Sequence, residues 1–125
     1  MKENDIAYKV IGACIEVHKS LGPGLLESAY HSCLEKELDI LGLRYESEVP
    51  LTLGYKGITV DIAYRADLLI ENKLLVELKA IGNINELYKA QLLTYLRLSK
   101  KKLGLLINFN EIVLKQGIYR VVNNL

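Results

Sequence analysis

The spacing of apolar residues changes near Leu43 from a helical period to an alternating one, and it returns to a helical period after Gly82. Because a helix repeats about every 3.6 residues and a strand every two, this change indicates the type of each element. The pattern predicts two helices, three strands, a third helix, and one or two final strands. We therefore expect an α/β or α+β fold in which helices cover a sheet.

Capping and turn residues set the expected bounds of these elements. The first helix begins at Asn4 or Asp5, either of which suits an N-cap, and the second ends at Gly42. The predicted strands are 45–53, 58–70, 74–80, 103–109 and 117–122, with turns at 54–57 and 71–73. Pro50 marks the first strand as an edge strand or a bulged one.

Composition favours one soluble domain whose second half is basic. The chain has 125 residues, half of them hydrophobic, which suffice for one core (1–125). Residues 1–62 hold 6 Lys/Arg against 10 Asp/Glu, whereas residues 63–125 hold 10 against 5. A polyanion would therefore favour the second half. The sequence predicts a cytoplasmic protein without a membrane segment or signal peptide, and reduced core thiols at Cys14 and Cys33.

Charged residues interrupt the second and third predicted strands. Glu77 and Lys79 share one strand face, and a three-residue loop at 71–73 would set Asp67 directly opposite Glu77, with Cβ atoms about 5 Å apart. Two carboxylates this close favour a hard divalent cation between them. A two-residue loop would instead put them on opposite faces, and a half-solvated Glu–Lys pair with a surface aspartate is the alternative.

The stretch GPGLLESAY, residues 22–30, precedes the second predicted helix. Gly24 fits an N-cap and Glu27 an N3 residue, where a glutamate stabilises the helix terminus. Glu27, Tyr30 and His31 also share one helical face, so the same carboxylate is able to project onto a sheet beneath it. We expect His31 to be a partly exposed helix residue that at most borders a site.

Two features of the third predicted helix also have two interpretations. Gln91 and Tyr95 lie four residues apart on one face, either as hydrogen-bonding boundary residues or as contacts to a phosphate or to Lys79. The basic run Lys100–Lys102 is either a solvated helix end or a salt-dependent contact to a nucleic-acid backbone.

Taken together, these motifs resemble the PD-(D/E)XK nuclease superfamily across about residues 21–109. The motifs are Gly24-x-x-Glu27, Asp67, Glu77-x-Lys79 and Gln91-x-x-x-Tyr95. The last is similar to the motif of the RecB-like branch, and Gly24 to Tyr30 matches the signature of the GxxExxY family. The resemblance implies a restriction-endonuclease-like core with a central mixed sheet, in the order ααβββαβ(β). Ala66 stands where the superfamily's name has proline.

The resemblance also implies a metal-dependent nuclease that hydrolyses phosphodiester bonds, with DNA favoured over RNA. Mg²⁺ or Mn²⁺ is the implied cofactor, and the implied metal ligands are Asp67, Glu77, the carbonyl of Leu78, and Glu27. Lys79 would orient the attacking water, while Tyr30, Gln91 and Tyr95 would support the site or the substrate.

Two questions of function stay open at this point. A homodimer or a protein partner is expected to help a domain of this size hold nucleic acid. The alternative to a nuclease is a catalytically silent module of the same fold that binds nucleic acid or a protein.

Overall fold

The computed structural model describes the main chain of residues 1–125 and all side chains except those of residues 62 and 63. The elements are α1 (Glu3–Leu21), α2 (Glu27–Leu41), β1 (Tyr45–Tyr55), β2 (Ile58–Ile70), β3 (Leu74–Lys79), α3 (Glu86–Ser99), β4 (Leu103–Asn108), a 3₁₀ turn (Leu114–Gly117) and β5 (Ile118–Val122). This order confirms the predicted one. Among the described residues, no helix combines the length and the apolar character needed to cross a membrane.

The start of α1 differs from the prediction. The helix begins at Glu3, with Lys2 at the N-cap, so an N-cap at Asn4 or Asp5 was wrong. Both Glu3 and Asp5 lie in the first helical turn. Acidic residues there are favoured by the positive end of the helix dipole, which compensates for the basic residue at the cap position.

The start of α2 also differs, whereas its end is as predicted. Leu26 is the N-cap and Glu27 is the first helical residue, so the N3 position predicted for Glu27 was wrong. Gly24 has φ 100° and belongs to the preceding turn. Gly42 ends the helix in the left-handed conformation, with its amide bonded to the carbonyls of the last turn.

Over the described residues, the strands form one five-stranded mixed sheet in the order β1-β2-β3-β4-β5. Neighbouring strands are antiparallel except β3 and β4, which are parallel and joined by α3 as a crossover helix. β1 is an edge strand, as Pro50 predicts, and its register with β2 shifts between Leu51 and Thr52. The predicted mixed sheet flanked by helices is therefore confirmed.

The connection between β2 and β3 has the three residues that the sequence predicts. Ile70 pairs with Leu74, and Leu68 pairs with Val76. The turn closes through a hydrogen bond of 3.0 Å from the amide of Lys73 to the carbonyl of Ile70. This register brings Asp67 of β2 and Glu77 of β3 to the same level of the sheet.

Two hydrophobic clusters lie on opposite faces of the sheet. One joins α1 and α2 to the sheet, and the other joins α3 to it. Cys14 is buried in the first cluster and Cys33 is partly buried beside it, and both are free thiols in the described structure. Burial raises the pKa of Cys14, as expected for an unreactive core thiol.

A buried asparagine fixes the chain immediately after β3. Asn108 accepts hydrogen bonds from the amides of Ile81 (3.1 Å) and Asn110 (3.2 Å), and it donates one to the carbonyl of Ile81 (2.9 Å). The carbonyl of Lys79 accepts a further bond of 2.8 Å from the amide of Phe109. The main chain that carries Lys79 is thereby held on its exit from the sheet.

Candidate functional site

Asp67 and Glu77 link β2 to β3 through their side chains. Beyond the Leu68–Val76 pair, the amide of Leu78 donates to Oδ2 of Asp67 at 2.7 Å, and the amide of Asp67 donates to Oε1 of Glu77 at 3.1 Å. Each carboxylate thus bonds the main chain of the other strand. The two acids are neighbours, and together they extend the contact between β2 and β3 by side chain to main chain bonds.

Glu77 is a buried carboxyl group, with 4% of the residue exposed. Its Oε2 accepts a hydrogen bond from the hydroxyl of Tyr64, and the Tyr64 ring stacks on Tyr95 at 3.9 Å between centroids. Burial and the nearby charge of Asp67 raise the pKa of Glu77 to about 7. The hydrogen bonds from Tyr64 and from the Asp67 amide, together with the charge of Lys79, lower it and only partly offset this rise. Glu77 therefore changes charge near neutral pH.

Asp67 is half-buried and also has a raised pKa. Burial is the largest cause, and the charge of Glu48 adds to it. The hydrogen bond from Leu78 and the charges of His31 and Lys79 act in the opposite direction. Burial of Asp67 thus outweighs the positive charges and the hydrogen bond that favour its ionised form.

A pocket of about 180 Å³ opens beside Asp67 and is lined by Glu27, Ser28, His31, Glu48, Asp67 and Leu78. Ligand atoms of His31, Glu48 and Asp67 lie within 4.8 Å of one another. Of the residues predicted as metal ligands, Glu27, Asp67 and Leu78 line this pocket, whereas Glu77 is buried next to it with both oxygens bonded. One imidazole and two carboxylates are a donor set that divalent cations accept.

The sequence alone predicts His31 as a partly exposed helix residue that at most borders the site, and it assigns no role to Glu48. His31 Nε2 lies 3.6 Å from Oε2 of Glu35 and 3.4 Å from Oγ of Ser47, and Ser47 in turn donates to Glu35. Glu48 has φ 54°, an uncommon conformation for a non-glycine residue. The available signal was an acid two residues before Pro50, in a strand expected to be an edge strand or a bulged one.

Glu27 and Lys79 complete the group of charges. Glu27 is the first residue of α2. Partial burial raises the pKa of its carboxyl group, the charge of Lys79 lowers this pKa, and the charge of Asp67 raises it. Lys79 Nζ lies 5.0 Å from the centroid of the Tyr88 ring, within cation–π distance. The structure therefore brings the predicted Glu27, Asp67, Glu77 and Lys79 into one electrostatic cluster.

Tyr30 lies in the core and not at the pocket. Its hydroxyl donates to the carbonyl of Gly22 at 2.6 Å and accepts from the amide of Leu25 at 3.1 Å. Its ring stacks on Phe109 at 4.4 Å, and the residue is fully buried. Tyr30 therefore holds the turn that leads into α2, which is a supporting position and excludes contact with a substrate.

Gln91 and Tyr95 differ in burial although they lie one turn apart on α3. Tyr95 is 7% exposed and stacks on Tyr64, whereas Gln91 is exposed. Tyr95 thus supports the tyrosine that bonds Glu77. Gln91 is the member of the pair that is open to a large ligand.

Comparisons with known proteins give a family and a fold. A family model described as the PD-(D/E)XK nuclease superfamily matches residues 4–121. The crystal structure of the protein SSO0001 is similar, with a TM-score of 0.54 and 24% sequence identity, over 78% of this chain and 50% of that one. This chain thus spans half the length of SSO0001, and the likeness concerns the fold. A search of curated proteins finds no match.

Proposed function

Since this chain belongs to the PD-(D/E)XK nuclease superfamily, we propose that it is a metal-dependent nuclease that hydrolyses phosphodiester bonds of nucleic acid, with DNA favoured. One observation carries the proposal: Asp67 bonds the main chain of Leu78, beside a pocket that also holds His31 and Glu48. A half-buried carboxylate with a raised pKa in such a pocket is typical of a functional site.

The donor atoms of the pocket fit a divalent cation. Asp67, Glu48 and His31 would hold it, with Glu27 and Leu78 at the pocket wall. A positive charge there would offset the burial that raises the pKa of Asp67. A bound divalent cation supplies two effects, a more acidic water and compensation of the charge that develops on the phosphate. The imidazole nitrogen favours Mn²⁺ over Mg²⁺, because Mg²⁺ prefers oxygen ligands.

The remaining side chains would act on the water and on the phosphate. Lys79 would orient the attacking water and contact a phosphate oxygen through a charge-assisted hydrogen bond, with its ammonium group kept in position by Tyr88. Glu27 would bind the cation or its water. Glu77 would keep Asp67 in place through the bond to the Asp67 amide.

Finer assignments rest on the motifs. We assign the chain to the RecB-like branch by Gln91 and Tyr95, and to the GxxExxY family by Gly24, Glu27 and Tyr30. One domain over residues 1–125, a cytoplasmic location, and a homodimer or protein partner that helps to hold substrate stay predictions from the sequence.

A catalytically silent module is the second candidate function. The burial of Glu77 favours it, because both oxygens of this carboxylate are already bonded within the protein. A silent module would bind nucleic acid or a protein partner without turnover under any metal.

The deciding experiment incubates purified protein with single-stranded, duplex and branched DNA and RNA, in Mg²⁺, Mn²⁺ or EDTA. We expect cleavage that requires a divalent cation and falls roughly 100-fold or more in Asp67→Asn and in Lys79→Met. Asp5→Asn and Lys36→Met change the same residue types outside the site and should keep full activity. Cleavage that survives both site variants would reject the assigned roles, and binding without turnover would favour the silent module.

A further inference from the structure

The exposed face of α3 carries a row of side chains with uniform spacing. Gln91, Thr94, Arg97 and Lys100 follow one another at intervals of three residues, and all four are exposed. Residues three apart on a helix are surface neighbours, and each step of three turns by about 60° around the axis, so these side chains form one oblique row across the exposed side of α3. Two members are uncharged and two are cationic, a composition that accepts a polyanion along its length.

The row begins beside the proposed site. Gln91 lies three residues after Tyr88, whose ring lies beneath the ammonium group of Lys79, and four residues before Tyr95, which stacks on Tyr64. Gln91 is therefore one of the exposed residues between two aromatic side chains that contact residues of the site.

The row ends at a rigid basic turn. Lys100 caps α3 in the left-handed conformation, with φ 58°. The Lys101 amide donates to the carbonyl of Leu96 at 2.9 Å, and Lys101 Nζ donates to Oδ1 of Asn72 at 3.1 Å. Lys102 is exposed, and its carbonyl accepts a bond of 2.8 Å from Asn123. These hydrogen bonds fix the turn and hold Lys100 and Lys102 at the end of the row.

We propose that the phosphate backbone of a nucleic acid runs along this row, from Lys79 to Lys100 and Lys102. The inference rests on the proposed function for the position of the scissile bond, and it adds a requirement on substrate length. The 14 residues of α3 span about 21 Å, so a bound strand must be several nucleotides long to reach both ends of the path. An oligonucleotide too short to span this distance reaches the site but not the lysines.

The test variant removes three charges with little disturbance of the helix. It combines Arg97→Gln, Lys100→Asn and Lys102→Gln, because glutamine suits helices and asparagine tolerates the left-handed conformation of residue 100. The matched control combines Lys9→Gln, Lys19→Gln and Lys36→Gln, three exposed lysines of α1 and α2. Both variants carry the same net charge, so a difference between them reports location.

The measurement is fluorescence anisotropy in EDTA, with labelled DNA and RNA of about 2 and about 12 nucleotides over a range of salt concentrations. We expect wild type and control to bind the longer strand more tightly. In the test variant, affinity for the longer strand should fall roughly tenfold or more, while affinity for the shorter strand should change less than about twofold. The dependence of log K on log salt should become shallower by about 2, that is about 0.7 for each lost contact to a single strand.

The outcomes separate this inference from the proposed function. Equal losses in test variant and control, or no loss in either, would overturn the assigned path. Because EDTA excludes turnover, row-dependent binding by a protein that never cleaves would support the path and reject the nuclease function. Cleavage with no dependence on the row would reject the path alone. A DNA strand and an RNA strand should lose the same salt dependence, since the contacts are to phosphates.

Discussion

The hydroxyl of Tyr64 donates a hydrogen bond to Oε2 of Glu77, the buried carboxylate at the end of β3. The other oxygen of Glu77 accepts from the amide of Asp67 at 3.1 Å. Since Tyr64 is itself held by Tyr95 through stacking, the position of Asp67 depends on a chain of contacts that begins on α3. Substitutions of Tyr64 or Tyr95 should therefore affect the position of Asp67 while leaving the Asp67 side chain itself unchanged.

Tyr64→Phe should shift the pH dependence of activity to higher pH. The hydrogen bond from Tyr64 lowers the pKa of Glu77, so its loss raises that pKa further above 7. If Glu77 acts as a carboxylate, the acidic limb of a kcat/KM profile moves upward, with roughly a tenfold loss at neutral pH that recovers as the pH rises. Tyr55→Phe removes a hydroxyl from an exposed tyrosine and is the control. An unchanged profile in Tyr64→Phe would mean that Glu77 does not need to ionise.

The free energy of unfolding of the metal-free protein should decrease between about pH 4.5 and pH 7. In this range the folded protein retains a proton on Glu77, whose pKa is about 7, whereas the unfolded chain has released it at 4.5. The stabilisation is thus fully present below pH 4.5 and is lost as the pH rises to 7. Burial raises the pKa of Asp67 as well, which adds to the same slope.

Urea unfolding in EDTA at several pH values measures this dependence. Glu77→Gln should flatten it, because glutamine does not titrate, while Glu16→Gln on the exposed surface of α1 should leave it as in wild type. A divalent cation should stabilise the protein more at pH 7 than at pH 4.5, since it competes with protons for the same carboxylates. Parallel curves for Glu77→Gln and wild type would contradict the raised pKa that is assigned to Glu77.

His31→Ala should lower the affinity for Mn²⁺ more than that for Mg²⁺. His31 offers the nitrogen among the grouped donors, and imidazole is a better ligand for Mn²⁺ than for Mg²⁺. Isothermal titration calorimetry should give a loss of roughly 10- to 100-fold for Mn²⁺, with a smaller loss in Glu35→Gln, which removes only the carboxylate beside His31 Nε2. His18→Ala is the control, since His18 bonds the carbonyl of Glu111 outside the pocket. Equal losses for both metals would show that His31 is not a ligand.

The fold was predictable because its signals are local. The change of apolar period defines the elements, and the three-residue turn at 71–73 follows from the three polar residues between two apolar strands. Helix starts were less predictable, because Lys2 and Leu26 occupy N-caps where Ser, Thr, Asp or Asn are usual. There the packing of the apolar face decides the boundary, and it outweighs a cap of about 1 kcal/mol.

The site was predictable only where strand register could be counted. Asp67 follows from the turn by counting, but Tyr64 does not. Ala66 and Leu68 belong to the hydrophobic clusters on opposite faces of the sheet, so strict alternation along β2 breaks between them. Past such a break, the face of a side chain no longer follows from its position in the sequence. Glu48 enters the pocket through a left-handed backbone conformation, for which the sequence offers no glycine or asparagine as a signal.

Tyr30→Phe should affect both stability and turnover, although Tyr30 does not line the pocket. The substitution keeps the ring on Phe109 but leaves the carbonyl of Gly22 and the amide of Leu25 without their bonds to the hydroxyl. Loss of these bonds should cost about 1–3 kcal/mol and lower the Tm by several degrees in thermal unfolding. Tyr8→Phe, at an 81% exposed tyrosine of α1, should change neither quantity.

The same substitution tests how Glu27 is positioned. Leu25 lies two residues before Glu27, so a looser turn lets the start of α2 move and should lower kcat more than it changes KM. Measurements at a temperature where both proteins are fully folded separate this effect from unfolding. A normal kcat with a lowered Tm would limit Tyr30 to the core. A lowered kcat would show that Tyr30 acts on Glu27 through the turn that precedes both residues.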